Sequence, residues 1–355
     1  MSNSSATSKK DLAPEPQLTP NLAGPGAWAR LRTNRLLWPV AGLLALWIFN
    51  AFFIPTFFSL EMRDGHLYGT LVDVLNQGSK VMLLALGMTL VIATGGVDLS
   101  VGSVMAIAGS VAALVVTRTP LGFACAVPVA LGLTALLGAG NGALVAFFGV
   151  QPIIATLVLM VTGRGIAMLL TGGQIITFDQ PAFVGLANGH FLALPFTLTL
   201  VAVCALATAY ATRRTAVGLF LEAVGESAAA SRFCGVPARL VKVLAYAFSG
   251  LCAGIAGLIA ASNIKAADAS RVGEMMELDA IFAVVIGGTA LSGGRFTLAG
   301  SLIGALLIQT LTTTLYQLGV SPAVATVPKA LVILTVCLMQ SPKFRAEFIR
   351  SKTLA

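Results

Sequence analysis

The chain has 355 residues, of which 57% are hydrophobic and only 10% charged, and its 22 Lys and Arg outnumber 14 Asp and Glu for a formal net charge of +8. A soluble domain carries roughly 25% charged residues, so these side chains are too few to coat a water-soluble particle, and the mean hydropathy of +0.91 agrees. The cations sit in clusters beside apolar runs, which excludes the basic surface of a nucleic-acid binder.

Residues 1–35 are polar, contain prolines and end in Arg30, Arg32 and Arg35. With no apolar periodicity they read as a disordered cytoplasmic tail. The apolar run Leu36 to Ser59 exceeds a signal-peptide core and lacks a small-residue cleavage site, so it reads as a retained first span at 36–59. A mixed-charge loop with Glu61, Arg63, Asp64 and Asp73 follows. Further spans fall at 80–94, 101–117, 121–149, 152–171, 192–212, 239–262, 278–291, 296–318 and 324–340, and 341–355 forms a second cytoplasmic tail. A bilayer core of about 30 Å takes roughly 20 apolar residues per helix. About ten such segments in succession define an all-α, polytopic membrane protein.

Orientation follows from Lys and Arg, which concentrate in cytoplasmic loops. The N-terminal tail, the region of Arg213, Arg214, Arg232, Arg239 and Lys242, and the C-terminal Lys343, Arg345, Arg350 and Lys352 fall on one face of a ten-helix chain. Asp64, Asp179 and Asp268 fall on the other, as do His66 and His190. Both termini are therefore expected in the cytoplasm.

The sequence echoes itself. Gly95-Gly96-Val97-Asp98-Leu99-Ser100-Val101-Gly102 recurs as Gly287-Gly288-Thr289-Ala290-Leu291-Ser292-Gly293-Gly294, and an Ala-Gly-Ser follows each copy at 108–110 and 299–301. Each copy follows an apolar segment that reads as too short to cross a bilayer. Short, glycine-interrupted segments at matching positions point to the substrate path of a transporter. Both copies run the same way across the membrane, which implies parallel repeats.

Asp98 is a charge set among apolar residues. It either caps the next helix together with Ser100, or contacts substrate or a gate. Arg164 is the lone cation of its span and either snorkels or lines a polar cavity. Asn141, Gln151 and Gln174 are uncharged polar groups near span ends, suited to a neutral, hydroxyl-rich ligand or to bonds with neighbouring helices. The five cysteines form no CxxC pair and read as small buried apolar residues. The segment 216–236 is too polar to span, and Gly225 and Gly235 bracket a short Ala-rich helix with Ser227 as its N-cap. A helix of this kind on the cytoplasmic face can dock in a partner's groove.

These features resemble a known family. The GGVDLSVG turn, the stretch Gly149-Val150-Gln151-Pro152-Ile153-Ile154-Ala155-Thr156-Leu157, the step Gly163-Arg164-Gly165 and the bracketed Ala-rich helix are similar to permease subunits of ribose/xylose-type sugar ABC importers, over roughly residues 70–340. Within it, residues 91–96, 220–225 and 277–281 resemble galactofuranose-importer permeases. The resemblance implies a half-transporter in the bacterial inner membrane that moves a monosaccharide, galactofuranose or ribose-like. Its partners would be a second permease, a periplasmic sugar-binding protein and a cytoplasmic ATPase that binds ATP and magnesium. The chain itself would hold no cofactor, metal ligand or catalytic residue. Residues 216–236 would be the coupling helix, with Glu222, Gly225, Ser227, Ala229, Arg232 and Gly235 facing the ATPase. The family often has Asn where this chain has Ser227, and either residue caps a helix. The absence of a Walker A pattern agrees with an ATPase on another chain. An ion-coupled secondary transporter is the alternative, but it commonly needs several acidic or His groups at mid-membrane and only Asp98 is available. An intramembrane enzyme lacks HExxH and GxSxG signatures.

Overall fold

A computed structural model describes residues 36–340 apart from Asp64, Leu121 and Leu192. Both tails, with the basic residues assigned to them, and Asp64 lie outside the described residues. The ten apolar segments form ten helices: α1 (Leu37–Phe53), α2 (Thr70–Ala93), α3 (Val101–Arg118), α4 (Gly122–Ala146), α5 (Pro152–Thr171), α7 (Phe196–Arg214), α10 (Ala238–Ile264), α11 (Met276–Ile286), α12 (Leu298–Gln317) and α13 (Pro322–Gln340). Between them lie α6 (Pro181–Asn188), α8 (Ala216–Glu226) and α9 (Ala228–Phe233). Among the described residues, seven helices are long and apolar enough to cross a membrane, while α1 has 17 residues and α11 only 11.

Short antiparallel ladders gather at one end of the bundle. β1 (Glu61–Arg63) pairs with β2 (His66–Tyr68), β3 (Ile176–Thr177) with β6 (Ala266–Ala267), and β4 (His190–Phe191) with β5 (Leu194–Pro195). Leu67 N–H bonds the Ala193 carbonyl at 3.0 Å, so the first hairpin is tied to the third. This is the hairpin end. The glycine-rich turns after α2 and α11 form the opposite turn end.

Several boundaries differ from the sequence reading. The first span ends at Phe53, with Ile54 as its C-cap just before Pro55, rather than reaching Ser59. The span placed at 80–94 is a 24-residue helix that starts at Thr70, about 36 Å long at 1.5 Å per residue. The segment before the first motif is therefore not short. Asp73, Asn76, Gln77 and Lys80 had broken the apolar window. The segment before the second motif is short, as expected.

α2 is the central helix: 78% of its apolar window is buried, against 22% for α5 and 17% for α7, which form the periphery. From Val81 to Ala93 every residue of α2 is buried, the mark of a core helix that is hydrophobic all round. Leu84, Met88 and Ile92 join Met105 of α3, Ile259 of α10 and Ile308 of α12 in one cluster. α13 is held to α11 by Lys329 and Asp279, 3.0 Å apart and largely buried.

α10 packs most extensively on α4. A Cβ at Gly250 would overlap the Thr134 carbonyl oxygen and lie 3.1 Å from the Gly138 Cα, and a Cβ at Gly138 would in turn overlap the Tyr246 carbonyl. Gly138 and Gly142 on α4 and Gly250 and Gly254 on α10 thus form two facing small-xxx-small steps, the arrangement that lets membrane helices approach backbone to backbone. Replacing Gly250 by Ala is expected to cost about 1–3 kcal/mol through overpacking and to lower the melting temperature of the purified protein. Gly140→Ala is the control: nothing lies within 4 Å of its Cβ direction, and it is expected to be neutral or stabilising.

At the hairpin end the His66 and His190 rings stack with centroids 4.1 Å apart, and Tyr68 meets His190 edge-on. Burial, and then the neighbouring His66, push the His190 pKa below its ordinary value. The folded state therefore disfavours the proton, so this stability is present above about pH 6.5 and is lost as pH falls below it. His190→Phe is expected to flatten the dependence of melting temperature on pH between about 5 and 7.

Candidate functional site

The two glycine-rich turns touch each other at the turn end. Gly294 N–H, at the close of the second motif, donates to the carbonyl of Ala93, the last residue of α2, at 3.0 Å. The copies run in the same direction, as the parallel repeat required. α8 closes the junction. A Cβ at Gly225 would overlap both the Ala93 oxygen and the Gly294 nitrogen, and Glu226 lies over Gly294, whose φ of +89° favours glycine. Three chain segments meet with no side chain between them. A displacement of α8 is therefore passed to both turns without rotamer slack, since close-packed interiors transmit strain.

The segment expected to be one helix over 216–236 is two. Thr215 caps α8 by accepting from Val217 N–H at 3.3 Å, and Ser227 caps α9 by accepting from Ala230 N–H at 3.2 Å. Ser227 is thus the N-cap the sequence indicated, and Gly225 lies inside α8 rather than before the helix. α8 buries Gly218, Leu221 and Val224 against the bundle, where Leu221 joins Leu90, Ala245 and Leu298. Glu222 is half-buried. α9 projects. Ala229, Arg232 and Gly235 are exposed, and Phe233 is 94% exposed. Cys234 is exposed beside it, which corrects the expectation that every cysteine is buried; Cys252 is buried, Cys125 and Cys204 are partly so, and the Cys337 side chain lies outside the described set.

Asp98, Ser100 and Asn141 come together in a closed network beneath the first turn. The Asp98 Oδ1 accepts from Ser100 N–H at 3.1 Å and from its hydroxyl at 2.6 Å, and Oδ2 accepts from Ser249 Oγ of α10 at 2.8 Å. Asn141 Nδ2 of α4 donates to Ser100 Oγ at 3.0 Å. Ser103 Oγ bonds the carbonyls of Ser100 and of Leu159 in α5, and the Tyr246 hydroxyl bonds Val97 O. Asp98 is only 1% exposed and both its oxygens are occupied. The network ties the start of α3 to α4, α5 and α10 and presents no free carboxylate oxygen to a passing ligand. Ser249 and Tyr246 were missed in the sequence because each sits singly in an apolar run.

The other polar candidates lie apart. Gln151 is the exposed N-cap position of α5, and Gln174 is exposed in the loop after it. Arg164 donates from Nη1 to the carbonyls of Ala269 at 3.1 Å and Val272 at 2.5 Å. It fastens α5 to the loop between β6 and α11.

A bundle of apolar helices, seven of them long enough to cross a membrane among the described residues, is the architecture of a polytopic membrane protein. The sequence profile of the branched-chain amino acid transport system / permease component family matches residues 70–337, and the chain belongs to that family. It is 45% identical to the galactofuranose transporter permease protein YtfT of Escherichia coli over 318 residues, covering 88% of this chain and 92% of that one. It is 38% identical to the fructose import permease protein FruF of Bifidobacterium longum over 322 residues, 88% of this chain and 90% of that one. It is also 38% identical to the ribose import permease protein RbsC of Escherichia coli over 293 residues, 81% of this chain and 88% of that one. No solved structure matches the chain.

The network separates two substitutions at Asp98. Asp98→Asn keeps Oδ1 for Ser100, and Ser249 can turn to accept from the new amide, so the melting temperature is expected to stay near wild type. Asp98→Ala leaves Ser100 and Ser249 without their acceptor and is expected to cost about 2 kcal/mol or more. Equal destabilisation by both would show that the charge, rather than the acceptor, holds the turn.

Proposed function

We propose that this chain is the membrane-spanning permease subunit of an ABC importer of the bacterial inner membrane that moves a monosaccharide, galactofuranose or ribose-like, with energy from ATP hydrolysed on a partner ATPase. A second permease completes the path and a periplasmic sugar-binding protein supplies the ligand. In this reading the turn end faces the cytoplasm, with both termini, and the hairpin end faces the periplasm.

The observation that carries the reading is the junction of Gly225 with Ala93 and Gly294, coupled to a tip that ends in a bare aromatic ring. A fully exposed Phe beside an Arg is unfavourable in water and is the pairing that anchors interfaces. Movement of that tip by a partner reaches both turns through backbone contact alone. Sugar permeases among the relatives support the substrate class. Against an ion-coupled carrier, both oxygens of Asp98, the carboxylate of the first turn, are occupied.

The test is uptake of radiolabelled sugar into vesicles holding the permeases, the ATPase and the binding protein. Uptake is expected to require ATP and the ATPase subunit and to ignore an ion gradient. Phe233→Ala and Ala229→Glu are expected to weaken ATPase co-purification at least about tenfold, the loss of a hot-spot contact of roughly 1.4 kcal/mol or more. Gly225→Val is expected to retain the ATPase but lose uptake, with membrane level and melting temperature measured alongside. Uptake driven by a sodium or proton gradient without the ATPase would overturn the reading.

A further inference from the structure

The first turns of α2 carry Asp73, Asn76, Gln77 and Lys80. Their spacing of i, i+3, i+4 and i+7 puts all four on one helix face. Polar stripes on a membrane helix face protein or a water-filled cavity rather than lipid. Here the stripe forms one wall of a cavity of about 510 Å³ at the hairpin end, within the range of small-molecule sites. The last turn of α10 supplies Ala260 and Asn263 opposite, and the loop leading to α11 supplies Asp268 and Arg271. Lys80 lies ten residues into α2, about 15 Å along the helix from Thr70, so the cavity reaches well into the bundle before the apolar core begins at Val81.

We propose that this cavity is a binding site for a neutral polyhydroxylated ligand, a monosaccharide vestibule whose described walls come from one permease chain. The inference rests on the sugar-permease reading above and adds a site that Asp98, Gln151 and Gln174 do not form. The ligand class follows from the chemistry of the walls. Two carboxylates and two cations balance, so the site favours neither a cation nor an anion. Lys80 directs one N–H to Gln77 Oε1 at 2.6 Å, Asn76 Oδ1 accepts from Thr197, and Asp268 Oδ1 accepts from Ser270 and from Arg271 N–H. What remains open is a mixture of amide donors, residual N–H groups and single carboxylate oxygens, the complement of hydroxyls that both donate and accept. The Asn263 amide nitrogen is buried with no partner, a donor lacking its acceptor. Burial works against the charge of Asp268, but the bonds from Ser270 and Arg271 hold its carboxyl below the usual range, so it stays an acceptor at neutral pH. Val272 and Met276 add an apolar patch for the C–H face of a sugar ring.

The test has two independent arms. In the first, Ala260→Trp, which fills the cavity, and Asn263→Leu, which removes the buried donor, are placed in the complete transporter. Both are expected to reduce sugar uptake at least tenfold, while binding-protein-stimulated ATP hydrolysis stays within twofold of wild type and the melting temperature is held. In the second, Ala260→Cys is made in a chain whose five native cysteines are alanine, and alkylation of the introduced thiol by a maleimide is followed in the purified full-length permease. Millimolar D-ribose or D-galactose is expected to slow alkylation at least threefold, and leucine is not. If the wild-type transporter moves no sugar, the reading above fails, and protection of the introduced thiol by sugar alone would still uphold the site. If the wild type moves sugar but both cavity variants do so at wild-type rate and half-saturation, or if leucine rather than sugar protects the thiol, the vestibule is overturned.

Discussion

Backbone-to-backbone approach at glycine is the constraint on which the rest of this structure depends. Lipid tails are as apolar as leucine, so helices in a bilayer gain little from hiding leucines on one another and rely on close packing. The contact of Gly250 with Gly138 brings α10 onto α4 and places Ser249 where it can reach Asp98 and Tyr246 where it can reach Val97. The contact of Gly102 with Gly273 sets the start of α3 against the loop that Arg164 fastens from α5. The contact of Gly225 with Ala93 and Gly294 seats the α8–α9 segment on both turns. Remove the small residues and the polar networks lose their registry, because their bonds are formed only at these interaxial distances.

This also explains the division of labour between polar groups. The Asp98 network is closed, buried and surrounded by four helices, and a closed network in a low-dielectric interior stiffens what it joins. The α2 stripe does the opposite. Its side chains are only partly satisfied and line an open volume, so they are available to a ligand. One helix thus carries a polar face near the hairpin end and, toward the turn end, a buried stretch that is apolar but for Thr89, whose hydroxyl bonds Ser301 of α12.

How much of this was legible in the sequence follows from the same physics. Hydropathy found the ten helices because apolar length is a one-dimensional signal. It failed at Thr70–Lys80 because a helix lining an aqueous cavity is polar on one face, and a window average cannot tell that face from a loop. The GGVDLSVG echo was visible as a repeat of letters, and its parallel sense survived, but the inference of two short segments did not, since only α11 is short. Asp98, Ser100 and Asn141 were singled out as uncommon polar residues, and the structure unites them. Their partner Ser249 was invisible, because a lone serine beside glycine carries no signal until another helix is laid against it. The two-helix form of residues 216–233 was half-legible: the Ser227 cap could be read, but the continuation of α8 back to Ala216 rests on its buried face, Gly218, Leu221 and Val224.

The two turns are alike in sequence and unlike in attachment, and the difference bears on which one moves. In the first, Asp98 and Ser100 are buried and bond outward to α4 and α10. In the second, the equivalent Ala290 and Ser292 are exposed, and the bonds run inward: Thr297 Oγ donates to the Gly287 carbonyl at 2.7 Å, and Thr297 N–H to Thr289 Oγ at 3.2 Å. The second turn lies at the end of a short helix, bonded to the last residue of α2 through Gly294 N–H, with Gly293 packed against Gly95 and Gly225 and with Glu226 over Gly294. The first turn is part of a rigid block with α3, α4, α5 and α10. A push delivered through Gly225 falls on both, and a shift of the first turn would break the buried bonds of Asp98, each worth about 0.5–1.5 kcal/mol. Ala290 offers no side-chain acceptor, so the second turn has no counterpart of the Asp98–Ser249 bond that ties the first turn to α10.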